Sequence, residues 1–263
     1  MMYDAQWAHA LPLFIVHHTL YIRQSLPHRI TVHTYMKLSV IIPALNEEAT
    51  IAQVVTDAIT FSDNQLVEVI VVDGGSRDQT VEQARRAGAT VLTSPRPGRA
   101  AQMNHGAAHA TGDVLYFVHA DVRLHPDFLT DIRQAIADGF PAGRYRFRFD
   151  SDHLLLRLNS YATRFGGVAS RGGDQTLFLQ RDLFDKLGGF DERFVIMEDF
   201  DIITRLEQMA RFAIIPKNVV VSARKYERNS WLRVQLANLM AVVLFRCHVS
   251  PNRIAKTYKQ LLH

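Results

Sequence analysis

The chain has 263 residues, 48% of them hydrophobic, with a net charge of +4, so it holds enough apolar content for one large core. Its single cysteine, Cys247, excludes an internal disulfide, and no four-ligand Cys/His spacing marks a zinc site. A reducing compartment is therefore expected.

Residues 1–36 read as a poorly ordered extension. The apolar stretch "LPLFIVHHTLYI" has twelve residues and two histidines, too short to span a bilayer. It also lacks the basic start and cleavage site of a secretory signal. An interfacial membrane segment is the competing reading, and Met36, just before "KLSVIIPALNEE", is an alternative start.

From Lys37 the pattern becomes alternating strands and helices. "LSVIIP" (38–43) and "LVEVIVVD" (66–73) are β-branched runs typical of buried parallel strands. Between them Ile51, Val54, Val55, Ala58 and Ile59 fall on one helical stripe, with Glu47 and Glu48 suited to the first turn. A second helix is predicted from about Asp78 to a stop at Gly88. Strand "ATVLT", a Pro/Gly-rich loop, helix "AAQMNHGAAHA" and strand "DVLYFVH" follow. This alternation predicts an α/β fold with a doubly wound sheet, in which ligands gather at the carboxyl ends of the strands.

Those strand ends are polar: "PALNEE", "DGGSRDQT" and "HAD". Asp73 and Asp121 each suit a turn when taken alone. Together at one rim they repel, so a cation or hydrogen-bond donors are expected beside them. Gly74 and Gly75 permit close backbone approach.

"LSVIIPALNEEATI", "EVIVVDGGSRDQT", "PGRAAQMNHGAAHATGDVLYFVHADVRL", "RGGDQTLFLQRDLFDKLGGFDE" and "MEDFDIITRL" together resemble a family 2 glycosyltransferase of GT-A fold, a Rossmann-like mixed sheet. The resemblance covers about Lys37 to Phe212 and is greatest to a bacterial subgroup with "HAD", "GDQ" and "MED". It implies a catalytic domain over 37–222, a nucleotide-diphospho sugar donor and a divalent cation, Mn2+ or Mg2+. Asp121 takes the place of the last Asp in the family's DxD motif and is implied as the metal ligand. His119 departs from the usual first Asp, leaving ribose or phosphate contact, packing or metal ligation open. The nucleotide pocket is implied at Pro43, Ala44, Asn46, Glu47, Asp73, Gly74, Arg99 and His119. Asp199 is implied as the catalytic base and Glu198 as its partner toward the acceptor, predicting inversion. Ordinary first-turn helix charge is the plain alternative for this pair. Asp201 is expected to face solvent. Gly173, Asp174 and Gln175 are implied in substrate contact, although the same residues suit a simple turn.

From Arg211 onward ten Lys/Arg face one acidic residue, Glu227, so the tail carries +9 and the remainder −5. An anionic partner, lipid surface or phosphate, is expected. Residues 223–263 are read as basic amphipathic helices. Polar breaks make a spanning helix unfavourable, leaving a helix lying on an anionic membrane or one packed on the catalytic domain, with Arg224 or Lys225 reaching the diphosphate. A lipid acceptor and a cytoplasmic protein peripheral on the inner membrane face are the corresponding expectations. No nucleic acid partner is expected. The alternatives are a nucleotidyltransferase, disfavoured because "PALNEE" is acidic where a basic phosphate loop is needed, and a sugar-nucleotide-binding protein that has lost catalysis. A NAD enzyme is disfavoured because no GxGxxG follows the first strand.

Overall fold

The computed structural model describes residues 19–21, 36–62, 67–164 and 176–262. Gly173, Asp174 and Gln175 lie outside them, as does most of the N-terminal extension.

Strands β2 (Leu38–Ala44), β3 (Val67–Asp73) and β5 (Val114–Phe117) form the centre of a sheet, with β4 (Thr90–Thr93) at one edge. Their side chains alternate between two cores. Val40, Ile42, Val69, Val71, Val114 and Tyr116 enter one, while Ile41, Ile70, Val72, Leu115 and Phe117 enter the other. Strands apolar on both faces must be covered on both. Helices α1 (Ile51–Thr60) and α4 (Phe128–Ala137) cover the first through Ile51, Val54, Val55, Phe128 and Ile132. Helices α3 (Arg99–His109), α6 (Arg181–Leu187) and α7 (Glu198–Met209) cover the second through Met103, Phe184, Ile202 and Leu206. Ile59 on the expected α1 stripe is instead 37% exposed. Helix α2 (Thr80–Arg86) is shorter than expected at both ends. At Gly106 of α3 an added Cβ would stand 2.5 Å from Ile41 Cγ2, so only glycine lets this helix lie so near β2.

Beyond β5 the order continues through β8 (Leu177–Gln180), β7 (Ala142–Phe149) and β9 (Phe212–Val221) to β1 (Thr19–Tyr21). Strand β8 runs antiparallel to β5 and β7, while β7 and β9 are parallel. The sheet is therefore mixed, of the expected Rossmann-like class. Within the extension, Thr19–Tyr21 pairs in parallel with Phe212–Ile214. Met36 is buried in the first core.

The two-residue strand β6 (Val122–Arg123) pairs antiparallel with the end of β9, Val122 opposite Val221. That pairing lays residues 222–224 beside Asp121. Helices α5 (Leu154–Ala162), α8 (Arg224–Arg228), α9 (Trp231–Arg246) and α10 (Pro251–Leu262) complete the described elements.

Candidate active site

Three neighbouring parallel strands deliver the site. Ala44, at the end of β2, is in register with Asp73, at the end of β3. After β5, Val118 N–H donates to Ile41 C=O at 3.0 Å, holding the start of the "HAD" loop against β2. The turn closes when Val122 N–H donates to His119 C=O at 3.2 Å.

The first two loops are stitched together. Asn46, with a positive φ of 55°, donates its N–H to Ser76 Oγ and accepts from Arg77 N–H, both at 2.9 Å. Glu47 N–H donates to Thr80 Oγ1 at 2.7 Å. Asp73 accepts from Gly75 N–H at 3.0 Å and from Ser76 N–H at 3.1 Å, so its carboxylate performs the turn role that "DGGS" also allowed. Pro43 and Ala44 are buried beneath this rim.

Gln102 is a site residue that the sequence did not single out. Its amide donates to Ala44 C=O at 2.8 Å and Val72 C=O at 2.7 Å, joining the two loops from below. A Cβ on Gly74 would stand 3.0 Å from that nitrogen. The available signal was a glutamine one turn before Gly106, on a helix face otherwise built of Ala, Met and Gly. Asn104 is another omission: it exchanges two 2.9 Å hydrogen bonds with the Phe190 backbone, clasping the segment that leads to α7.

Glu198 and Asp199 lie in the first turn of α7, where the helix dipole favours negative charge. Met197 before them adopts φ 71° and ψ 11°, a left-handed conformation uncommon for a non-glycine residue and typical of functional turns. Glu198 is fully buried, and Arg99 Nε reaches its Oε1 at 2.7 Å. Neither Oε1 nor Oε2 accepts a hydrogen bond, so the contact with Arg99 is an ion pair. Burial pushes the Glu198 carboxyl up to about 7; Arg99 opposes the rise and Asp199 adds to it. His119 Nε2 stands 3.6 Å from Asp199 Oδ2. Burial draws the imidazole pKa down, but the charges of Asp199 and Asp121 outweigh burial and Arg99, leaving it raised. Asp201 does not simply face solvent: Arg205 Nε binds it at 2.9 Å.

Arg224, at the start of α8, places its two terminal nitrogens 2.6 Å from the two carboxylate oxygens of Glu47. Its Nη2 also lies 3.1 Å from Asp121 Oδ2. Of the two basic tail residues expected near the diphosphate, only Arg224 joins the cluster. Lys225 turns to Tyr258 of α10, whose hydroxyl it hydrogen-bonds and over whose ring it lies at 5.0 Å. It ties α8 to α10, away from Asp121.

Arg99, Glu198, Asp199, His119, Asp121, Arg224 and Glu47 thus gather basic and acidic groups along one rim. Asp121 offers a carboxylate oxygen of the kind a hard divalent ion prefers, and in this structure the Arg224 guanidinium takes that oxygen. A second acidic cluster, His125, Asp127 and Asp131, has ligand atoms within 4.8 Å of one another. Lys217 Nζ sits among its carboxylates, 2.7 Å from Asp127 Oδ2 and from Asp131 Oδ1.

With carboxylates and arginines paired at the carboxyl edge of a mixed, largely parallel sheet, the chain has the fold of GT-A glycosyltransferases. The chain belongs to glycosyl transferase family 2, whose family model matches residues 39–187. It is similar to the glucosyl-3-phosphoglycerate synthase of Mycobacterium tuberculosis, 36% identical over 101 residues, which are 35% of this chain and 31% of that one. The chain thus spans under a third of that relative's length. An uncharacterized glycosyltransferase of Haemophilus influenzae is 25% identical over 188 residues, 66% of this chain and 63% of that one. Among solved structures, glucosyl-3-phosphoglycerate synthase from Mycobacterium tuberculosis in complex with Mn2+, UDP and glucosyl-3-phosphoglycerate aligns with a TM-score of 0.55 and 26% identity, covering 81% of each chain.

Proposed function

We propose that this protein is an inverting glycosyltransferase that moves a sugar from a nucleoside-diphosphate sugar, with uridine as the first base to test, to an acceptor hydroxyl. The observation that carries this reading is that His119 Nε2, on the same loop as Asp121 and two residues before it, stands 3.6 Å from Asp199 Oδ2, so one loop brings the metal carboxylate and the base to the same rim. Asp121 would hold a divalent ion, Mn2+ or Mg2+, which would supply neutralisation of the charge that grows on the departing diphosphate. Asp199 takes the proton of the acceptor hydroxyl, whose oxygen attacks the anomeric carbon from the face opposite the nucleotide. Glu198, braced by Arg99, fixes the first turn of α7 and orients Asp199. The loop backbones of Pro43–Glu47 and Asp73–Gly74, held by Gln102, form the floor for base and ribose. The relative solved with Mn2+ and UDP supports this choice of donor and ion.

A thermal-shift screen of UDP-, GDP- and dTDP-sugars with and without Mn2+ tests the donor, and the expected result is stabilisation by one base class that requires the ion. Uniform indifference to all three would overturn the reading.

For the acceptor, the exposed face of α9 favours a lipid. Leu232, Leu236, Leu239, Met240 and Val243 recur at helical spacing and are exposed, with Leu232 at 71% and Leu239 at 61%. Val234, Ala237 and Ala241 on the opposite face are buried. Arg233 and Arg246 flank the apolar stripe, an arrangement suited to anionic headgroups. At its far end Phe245 packs against Phe200, the neighbour of Asp199, with ring centroids 6.3 Å apart. Among the described residues no helix is long and apolar enough to cross a membrane, so the proposed contact is peripheral. Sedimentation with phosphatidylglycerol vesicles tests it: binding should fall with salt and with Leu232→Gln, Leu236→Gln and Leu239→Gln combined. No binding at low salt, together with transfer to free phosphoglycerate, would replace the lipid by a soluble acceptor.

A further inference from the structure

Arg224 sits where its chemistry conflicts with the metal carboxylate's task. A guanidinium and a divalent ion both seek the same oxygen of Asp121, and they repel one another. The arginine arrives from 177 positions beyond Glu47, carried there by the pairing of Val122 with Val221 and fixed by the 2.7 Å hydrogen bond from Ala223 N–H to Asp150 Oδ1. Its fork grips Glu47 through both oxygens at 2.6 Å while Nη2 reaches Asp121 at 3.1 Å. Two carboxylates facing one rim need a cation, and here the chain supplies its own.

We propose that Arg224 is an internal counter-cation for Asp121 that competes with the divalent ion, so that the donor-free protein holds free metal weakly and binds it tightly only together with the nucleotide diphosphate. The inference rests on the assignment of Asp121 as metal carboxylate. Cation and arginine exclude each other at the carboxylate, so the apparent affinity for metal alone is reduced by the fraction of molecules in which Arg224 is engaged. The diphosphate changes the balance in two ways. It adds oxygens to the metal's shell, and it offers the displaced guanidinium an anion whose geometry suits a planar fork. Coupling between metal and diphosphate follows, and by linkage it is reciprocal.

The test is Mn2+ binding without nucleotide, followed by electron paramagnetic resonance of the free ion, then UDP titration at saturating Mn2+. Arg224→Ala should bind Mn2+ alone about tenfold more tightly than the wild type, as for removal of a competitor engaged in most molecules, while binding UDP more weakly. The opposite signs matter, because general loss of fold would weaken both. Arg224→Lys, a point charge without the fork, should fall between the two for Mn2+. Asp121→Asn separates the two levels of the argument. If it leaves Mn2+ affinity untouched, the assignment of Asp121 fails. If it abolishes Mn2+ binding while Arg224→Ala leaves the affinity unchanged or lowers it, the competition alone is refuted.

Discussion

Arg99 Nε lies 2.7 Å from Oε1 of Glu198, a carboxylate with no exposure to solvent, while Arg99 itself is 39% exposed. The pair spans the gap between the starts of α3 and α7, and each partner makes the other tolerable. Replacing Arg99 by Met strands Glu198. At about pH 8 the loss should be on the order of 3 kcal/mol in urea denaturation, the range for breaking a buried pair. It should shrink toward pH 5, where the carboxyl is protonated, and Arg99→Met combined with Glu198→Gln should recover much of it. An equal loss at both pH values would reject the charge-based account.

The same carboxyl sets a pH dependence for the metal-free protein. Glu198 releases its proton near 7 in the fold, against 4.5 as the ordinary value. Between those values the native state binds more protons than the unfolded chain, so stability falls as pH rises through the window. His119 acts with the same sign: its pKa is raised above 6.5, so its contribution is complete below that value and lost as pH climbs through the native one. The lowered carboxyls Glu68, Asp78, Asp127 and Asp191 act below the window, losing their stabilisation only as the medium becomes more acidic. His105, lowered by burial and by His109, acts in the opposite sense but is only slightly buried, so urea midpoints should be higher at about pH 5.5 than at about pH 8, and Glu198→Gln should flatten much of the slope. A midpoint that climbs over that interval would contradict it.

Asp199→Asn keeps the shape of the side chain and removes its capacity to take a proton. Turnover should fall by about 10²- to 10⁴-fold, the usual contribution of a general base. Nucleotide affinity measured by calorimetry should be retained. Undiminished turnover would move the base elsewhere.

Gln102 holds two buried carbonyls with one amide, and Gln102→Leu leaves both without that donor. The expected cost is about 1–3 kcal/mol of stability, with weaker nucleotide binding because the loops after β2 and β3 lose their common anchor. Gln102→Glu should be worse, since an ionised carboxylate would face Ala44 and Val72 oxygens with no proton to give. Thermal melts of the two variants decide the order.

Lys217 occupies the His125, Asp127 and Asp131 cluster, and its charge holds the Asp127 carboxyl below its usual range. Lys217→Met vacates the centre of those ligand atoms. The variant should take up one further equivalent of Mn2+ that the wild type does not bind, counted by calorimetry; an unchanged stoichiometry would show that geometry, not the ammonium, keeps the ion out.

Much of this protein is local information. Buried strands announce themselves through β-branched runs, so β2, β3 and β5 are legible residue by residue, as is the inward stripe Ile202, Ile203 and Leu206 of α7. The polar endings of those strands follow directly, because a parallel sheet exposes only its strand ends to a ligand. What no window of sequence contains is long-range pairing. The antiparallel insertion of β8, the parallel union of Thr19–Tyr21 with β9, and the return of residues 222–224 to Asp121 through Val122 and Val221 depend on which edges remain free once the central strands have paired. The two neighbouring cations Arg224 and Lys225 make the point most sharply. Identical in charge class and adjacent in the chain, they are sent to opposite partners, Glu47 with Asp121 and Tyr258, because the helical turn at α8 rotates consecutive side chains onto different faces. Sequence determined which groups are ionic and which strands are buried; only the tertiary packing decided which charges meet, since Coulomb energy depends on distance in space and not along the chain.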